Sequence, residues 1–289
     1  MIKHPQWIKR TMPIKAVENM NRLLKGHNLH TVCQSAHCPN IGECFKNKEA
    51  TFLILGNICT RNCKFCSIKK GKPSAIDASE PEKIAKAVAE LGLDYVVVTS
   101  VTRDDLLDGG AGHFVATIEA VRAYNPRIKI EVLTPDFNNN VSALDKIILA
   151  KPDCFAHNIE TVPRLYGAIR PGADYKSSIS ILSYIKNNSA ILAKSGIMLG
   201  LGEKKEEVLD VITGLYQTGC DIITIGQYLK PSKDCVDVIE FITPDEFEYY
   251  RTYAKNLGFA SVISGPFARS SYKAKEIYLD LKREKILCK

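Results

Sequence analysis

Long apolar runs are missing from this chain, and no stretch reaches the roughly 18 apolar residues that a membrane-crossing helix needs. A helical membrane protein is therefore not expected. The opening residues Met1 to Met12 (MIKHPQWIKRTM) carry charge and a proline but no apolar run, so neither a secretory signal nor an anchor is expected there. Internal repeats and low-complexity tracts are absent as well, and Asn138-Asn139-Asn140 marks only a loop. Charge of one sign is scarce: 39 Lys+Arg against 32 Asp+Glu leave +7, without the dense basic stripe and interleaved aromatics that nucleic acid demands. Lys69, Lys70 and Lys72 read as a solvated loop, and Lys282, Arg283 and Lys285 as a solvated helix face that could meet an acidic partner protein.

Cysteine is the residue not in short supply. In a small secreted domain ten cysteines would mean a disulfide framework, but 289 residues with 45% apolar content bury a core without staples. The reading is a reducing, cytoplasmic setting, or an organelle matrix if a transit peptide has been removed, where grouped cysteines hold metal or do redox work. Cys154, Cys220, Cys235 and Cys288 stand alone and read as small buried or spare thiols. The other six form two triplets: Cys33, Cys38 and Cys44, then Cys59, Cys63 and Cys66. Structural zinc takes four closed ligands and iron–sulfur cubes are normally held by four cysteines, so each triplet leaves a metal position for something else.

From residue 51 onward β-rich runs alternate with helical patterns. Residues 51–55, 94–99, 128–133, 154–157, 196–199, 222–225 and 260–263 read as strands. Between them 81–91, 112–124, 142–150, 177–194, 205–218 and 244–257 space their apolar residues as helices do. Ser79 and Pro81, and Thr243 and Pro244, supply helix-start signals. Strict alternation implies parallel strands with right-handed crossovers. The fold class is α/β: a partial or near-complete parallel (β/α) TIM-like barrel, preferred over an open doubly wound sheet, with N-terminal and C-terminal cluster-binding extensions. The expected division is 1–50, 51–265 and 266–289. In such a barrel the active face is built from loops after the strands' carboxyl ends, where Cys59, Cys63 and Cys66 fall.

The second triplet, Cys59-Thr-Arg-Asn-Cys63-Lys-Phe-Cys66, is spaced Cys-x3-Cys-x2-Cys. Three sulfurs within eight loop residues can take three corners of a [4Fe–4S] cube and leave the fourth iron without a protein ligand; a zinc site completed by a histidine or a distant cysteine is the alternative. The spacing resembles the motif of the radical S-adenosylmethionine enzymes, including the aromatic position at Phe65. The first triplet is spaced Cys-x4-Cys-x5-Cys. With its surroundings it resembles the lipoyl synthases, and the likeness continues through TFLILGNICTRNCKFC (51–66), VTRDDLLDGGAGHF (101–114), HNIETVPRLYGAIRP (157–171), KSGIMLGLGE (194–203), GQYLKPS (226–232) and GFASVISGPFARSSYKA (258–274).

That resemblance implies a division of labour. The cube on Cys59, Cys63 and Cys66 would bind S-adenosyl-L-methionine through its open iron and reduce it, giving a 5′-deoxyadenosyl radical. A second [4Fe–4S] cluster on Cys33, Cys38 and Cys44 would be completed by Ser271, with Ser270 as its possible confusion, and would donate sulfur to C6 and C8 of a protein-bound octanoyl chain. Without the resemblance, both serines read as caps of a helix over 272–281. Asn158 and Glu160 would hold the ribose hydroxyls, and Gly200, Gly202 and Glu203 the adenosine, though glycines are as often plain turn residues. Asp108 to Gly110 and Arg170 are weaker candidates, and His37 reads as solvated. The implied partners are octanoylated lipoyl carrier domains or H protein, and an electron donor such as ferredoxin or flavodoxin. Nucleic acid and membrane are not expected partners. The competing readings are a biotin synthase-like sulfur-inserting enzyme and a non-catalytic electron-transfer or zinc-scaffold protein.

Overall fold

The computed structural model describes residues 5–8 and 13–287; Cys288 and most of the charged opening segment lie outside the described residues. Helix α1 (Ile14–Gly26) leads into the short strand β1 (His30–Thr31). Helices α2 (Val32–Ser35) and α3 (Ile41–Lys46), with the turn between them, carry the first cysteine triplet. Strand β2 (Thr51–Ile54) opens the barrel, and the second triplet follows in a loop containing the two-residue strands β3 (Ile58–Cys59) and β4 (Lys69–Lys70).

Helices and strands then alternate: α4 (Glu80–Leu91), β5 (Tyr95–Ser100), α5 (Ala111–Tyr124), β6 (Lys129–Leu133), α6 (Val141–Ala150) and β7 (Cys154–Ala156). They continue with the short α7 (Tyr166–Ile169), α8 (Tyr175–Asn188), β8 (Leu192–Leu199), α9 (Lys205–Gln217), β9 (Ile222–Gln227), α10 (Pro244–Leu257), β10 (Ser261–Gly265) and α11 (Ala274–Leu287). Start signals act as the local chemistry requires. Thr243 accepts from the Glu246 amide at 3.2 Å while the Glu246 carboxylate accepts from the Thr243 amide at 3.2 Å, closing a capping box at α10.

The main sheet has the order β1-β2-β5-β6-β7-β8-β9-β10, and β2 to β10 pair in parallel. All seven strands read from the sequence are present, and the sheet curls into a partial TIM-like barrel whose terminal strands do not pair. Strand β1 was not read: two residues cannot show an alternation, yet His30 and Thr31 lie antiparallel to Leu53 and Phe52 and tie the first fifty residues to the sheet. The expected helix over 177–194 is corrected. It ends at Asn188, and residues from Leu192 belong to β8. The reason is Lys194, which is fully buried and bonds Glu131 on β6 at 3.0 Å, with the Tyr95 hydroxyl donating to the same carboxylate at 2.7 Å. A lysine reads as a surface residue unless its distant partner is known.

Two layers of apolar contact hold helices to the barrel, one around β2, β5 and β6 with α1 and α4 to α6, the other around β8 and β9 with α9 and α10. A third cluster joins Tyr95, Val97, Cys154, Leu192 and Ile222 to Ala274, Ile277, Tyr278 and Leu281 of α11. The last helix thus packs against the strands' amino halves, and the segment before it, 266–273, is held near the carboxyl ends.

Candidate active site

Both cysteine triplets open into one cavity of about 510 Å³. Its walls include Cys33, Cys38 and Cys44 from the first fifty residues, Cys59, Cys63, Phe65 and Cys66 after β2, Asn158 and Glu160 after β7, and Ser270 and Ser271 before α11. Residues more than 200 positions apart in the chain therefore share one space.

The thiols are poorly placed to ionise alone. Burial, with a contribution from Cys38, pushes Cys33 up to about 11, and burial, with Cys63 and Cys59, pushes Cys66 up to about 12. Cys44 and Cys63 are raised for the same first cause, Cys44 also by Cys33 and Cys38. Members of each triplet are near enough to repel one another as thiolates, so the bare protein keeps them as neutral thiols and a positively charged centre would favour their ionised form. Among the described residues no three His, Cys, Asp or Glu side chains gather around a single ion. Three soft donors that face a common space without closing on one point fit an iron–sulfur cluster, in which each sulfur holds a different iron, better than a tetrahedral zinc.

The loop carrying Cys59 to Cys66 is braced by an arginine that no local pattern singles out. Arg61 donates to Asp104 at 2.9 Å through both Nε and Nη2, to Asp136 through Nη1 and through Nη2 at 2.7 Å, and to Asn138 at 2.7 Å. Those partners come from the loops after β5 and β6, so one guanidinium stitches three barrel loops together. Burial works against the Asp136 carboxylate, but the hydrogen bonds and charge of Arg61 hold it below the usual carboxylate range. Phe65 packs beside Ile169, Leu201 and Tyr228 and lines the cavity.

After β7, Asn158 donates to Glu160 at 3.0 Å and accepts from the Ser270 hydroxyl at 2.7 Å. Glu160 has φ +70, a left-handed conformation that costs a carboxylate residue energy and that its neighbours impose: its amide donates to the Gly196 carbonyl at 3.0 Å, and its carbonyl accepts from Met198 at 2.9 Å. Burial raises its carboxyl, opposed by Arg170, Asn158 and Arg269. Arg170 donates to the Asn158 carbonyl at 3.0 Å and to the Tyr166 hydroxyl at 3.1 Å, so it supports the turn rather than ending in a plain helix contact.

The segment Arg269 to Tyr272 reaches this site because two strand residues lack a side chain. A Cβ on Gly226 would lie 2.2 Å from the Ala268 carbonyl oxygen, and one on Gly196 would lie 3.0 Å from the Ser270 hydroxyl. The segment is also tied to the first triplet. Asn40 donates to the Phe267 carbonyl at 2.8 Å, and Tyr272 donates to Glu43, the neighbour of Cys44, at 2.9 Å.

Other candidates lie elsewhere. Gly200, Gly202 and Glu203 do not line the cavity. The Glu203 carboxylate accepts from the Gly200 and Leu201 amides of its own turn. Asp108 binds the Gly110 and Gly112 amides and Lys146. His37 is exposed at the cavity rim. Lys282 sits with Lys151 and Leu192 at the amino ends of β7 and β8, Arg283 lies 3.6 Å from Asp280, and the Lys285 side chain lies outside the described residues. Among the described residues no helix is long and apolar enough to cross a membrane.

Comparison with known proteins supplies the family and supports the fold. Residues 53–213 match the family model of the Radical SAM superfamily. A lipoyl synthase of Caldicellulosiruptor saccharolyticus is 55% identical over 276 residues, covering 95% of this chain and 97% of its own. Another, of Caldanaerobacter subterraneus subsp. tengcongensis, is 50% identical, with coverage of 98% and 99%. Among solved structures, Streptococcus suis SuiB bound to S-adenosylmethionine superposes with a TM-score of 0.59 at 13% identity, over 78% of this chain and 53% of that one. Methylornithine synthase (PylB) gives 0.56 at 14% identity, over 94% and 95%. These structural likenesses support the barrel, while the sequence identities carry the family assignment. The chain belongs to the lipoyl synthase family within the radical SAM superfamily.

Proposed function

We propose that this chain inserts two sulfur atoms, at C6 and C8, into an octanoyl group carried on a lysine of a lipoyl carrier domain or H protein, giving lipoyl-lysine. The observation that carries the reading is the meeting of two cysteine triplets and a serine pair in one cavity. When bound, S-adenosyl-L-methionine and two [4Fe–4S] clusters supply the radical that removes hydrogen and the sulfide that replaces it.

The chain's own residues hold and orient these groups. Cys59, Cys63 and Cys66 would hold one cube and leave one of its positions to the cofactor. Asn158 and Glu160, an amide and a carboxylate joined by a hydrogen bond, face the cavity as acceptors and donor for a ribose diol, while Phe65 adds an apolar wall. Cys33, Cys38 and Cys44 would hold the second cube, with Ser271 as its fourth ligand. Its neighbour Ser270 is held by Asn158, to which it donates, whereas the Ser271 hydroxyl has no such tie among the described residues. A hard oxygen holds iron less durably than a thiolate, which suits a cluster that gives up sulfur. The division into a cysteine-bearing segment 1–50, a barrel 51–265 and a closing segment 266–289 follows the same roles. Leu53, Val97, Val101 and Leu133 line part of the cavity, and an octanoyl arm would lie against such apolar surface. An acyl chain on a lysine reaches inward while its carrier stays outside.

The test is direct. Anaerobically reconstituted protein is given an octanoylated carrier domain, S-adenosyl-L-methionine and dithionite, and the carrier is weighed by mass spectrometry. Two added sulfurs per carrier support the reading; unchanged carrier with both clusters loaded rejects it.

A further inference from the structure

Between Ala50 and Ile76 the chain has no aspartate or glutamate, but it has Arg61, Lys64, Lys69, Lys70 and Lys72. Arg61 is neutralised internally by Asp104 and Asp136. The four lysines make no ion pair among the described residues. Carboxylates that border this stretch are already engaged: Asp77 by Lys83 at 2.6 Å, and Asp237 by Lys230 at 2.8 Å. A group of uncompensated ammonium ions in a chain of only +7 is a local concentration of charge.

Its place matters more than its size. Lys69 and Lys70 form β4, which runs parallel to β3 with Lys70 opposite Cys59, and the Gly71 amide donates to the Cys59 carbonyl at 3.0 Å. Lys64 follows Cys63 directly; its amide donates to the Ile169 carbonyl at 2.8 Å and its carbonyl accepts from Val236 at 2.9 Å. Lys69 and Lys72 are exposed, Lys64 and Lys70 half-buried, and none of the four lines the cavity. The loop therefore turns its sulfurs to the cavity and these lysines elsewhere. The same short backbone carries the cluster's ligands and the unpaired positive charge.

We propose that Lys64, Lys69, Lys70 and Lys72 are the docking surface for a small acidic one-electron carrier protein that reduces the cluster on Cys59, Cys63 and Cys66. The inference rests on the reading of that triplet given above and adds the surface and charge of the partner. The exchange is one electron and no proton: the carrier is oxidised by one electron, and the cluster is reduced by one. Electron transfer falls steeply with distance, and a donor seated on β4 lies beside the strand that carries Cys59. Opposite charge at the contact raises the encounter rate and fixes orientation without a large interface.

The experiment uses the full-length protein and an acidic flavodoxin as probe. Binding is measured at low and at physiological ionic strength for the parent, for the triple variant Lys69→Glu, Lys70→Glu, Lys72→Glu, and for a control carrying Lys282→Glu and Arg283→Glu. The triple variant is expected to weaken flavodoxin binding about tenfold or more and to flatten its salt dependence, with the control unchanged. Iron content and dithionite-driven 5′-deoxyadenosine formation should match the parent, while flavodoxin-driven formation falls about as much as binding does. Should the triple variant lose iron, the exposed pair Lys69→Gln and Lys72→Gln carries the same comparison with a smaller expected loss. Unchanged flavodoxin affinity overturns the proposal. So does an equal fall with dithionite in an iron-loaded variant, which would mean that the lysines act on the cluster itself, or a loss of affinity for the octanoylated carrier domain in place of flavodoxin. Binding needs no turnover, so a parent that fails to insert sulfur would reject the function above and leave this comparison decisive.

Discussion

Ser270 and Ser271 are adjacent in sequence and line the same cavity, yet only Ser270 gives its hydroxyl to Asn158. Ser271→Ala should leave the cluster on Cys59, Cys63 and Cys66 and its 5′-deoxyadenosine formation intact while blocking sulfur insertion. Ser270→Ala, which removes a bond to Asn158, the proposed ribose contact, should instead raise the KM for S-adenosyl-L-methionine and still yield lipoyl product. Lipoyl product at the parent rate from Ser271→Ala would exclude it as the ligand. His157 makes a second residue-scale prediction. It is fully buried, with its ring nitrogens 3.0 Å from the Thr134 carbonyl oxygen and 3.0 Å from the Ser178 hydroxyl. Burial, aided by Arg170, holds its imidazole down at about 4, against an ordinary value of 6.5. Between these values the unfolded chain binds the proton and the folded one does not, so stability present above about pH 6.5 is lost as the pH falls towards 4. Urea midpoints of the apo-protein should fall over that window, and His157→Gln should reduce the slope; identical slopes would show that His157 does not carry it.

At the scale of elements, the barrel's strands and most of its helices were legible because alternation and helical spacing are local signals. The ends that failed did so through distant partners. Lys194 belongs to β8 because Glu131 waits on β6, and His30 and Thr31 form a strand only because β2 lies beside them. The grouping of the cysteines into two triplets was legible from spacing, whereas the Arg61 brace was not, since its partners Asp104 and Asp136 sit 43 and 75 residues away. Asn158, Glu160, Ser270 and Ser271 came from a resemblance, and the hydrogen bonds that join the first three appear only in the fold. The Gly200 to Glu203 turn, read as a cofactor contact, spends its carboxylate on its own amides. The Arg61 brace carries its own prediction. Arg61→Ala strands the buried Asp136 carboxylate and should cost about 3 kcal/mol of stability. Because the brace ends at the cysteine loop, iron should be lost from that cluster sooner than from the other under chelator. Equal rates of iron loss, or no change in stability, would remove Arg61 from this role.

Across the whole molecule, the chain's ends are brought together around its middle. Helix α11 packs its apolar face against Tyr95, Val97, Cys154, Leu192 and Ile222, and the segment before it is bonded to Asn158 on one side and to Glu43 and Asn40 on the other. The first triplet and the serine pair, far apart in sequence, thereby close one side of a cavity whose other side is the cysteine loop after β2. The proposed function gives the two triplets separate tasks, and two sets of alanine variants test that division. In anaerobically reconstituted protein supplied with an octanoylated carrier domain, Cys59→Ala, Cys63→Ala and Cys66→Ala should each abolish 5′-deoxyadenosine. Cys33→Ala, Cys38→Ala and Cys44→Ala should each retain 5′-deoxyadenosine formation while adding no sulfur to the carrier; equal loss of 5′-deoxyadenosine in both sets would contradict the division of roles.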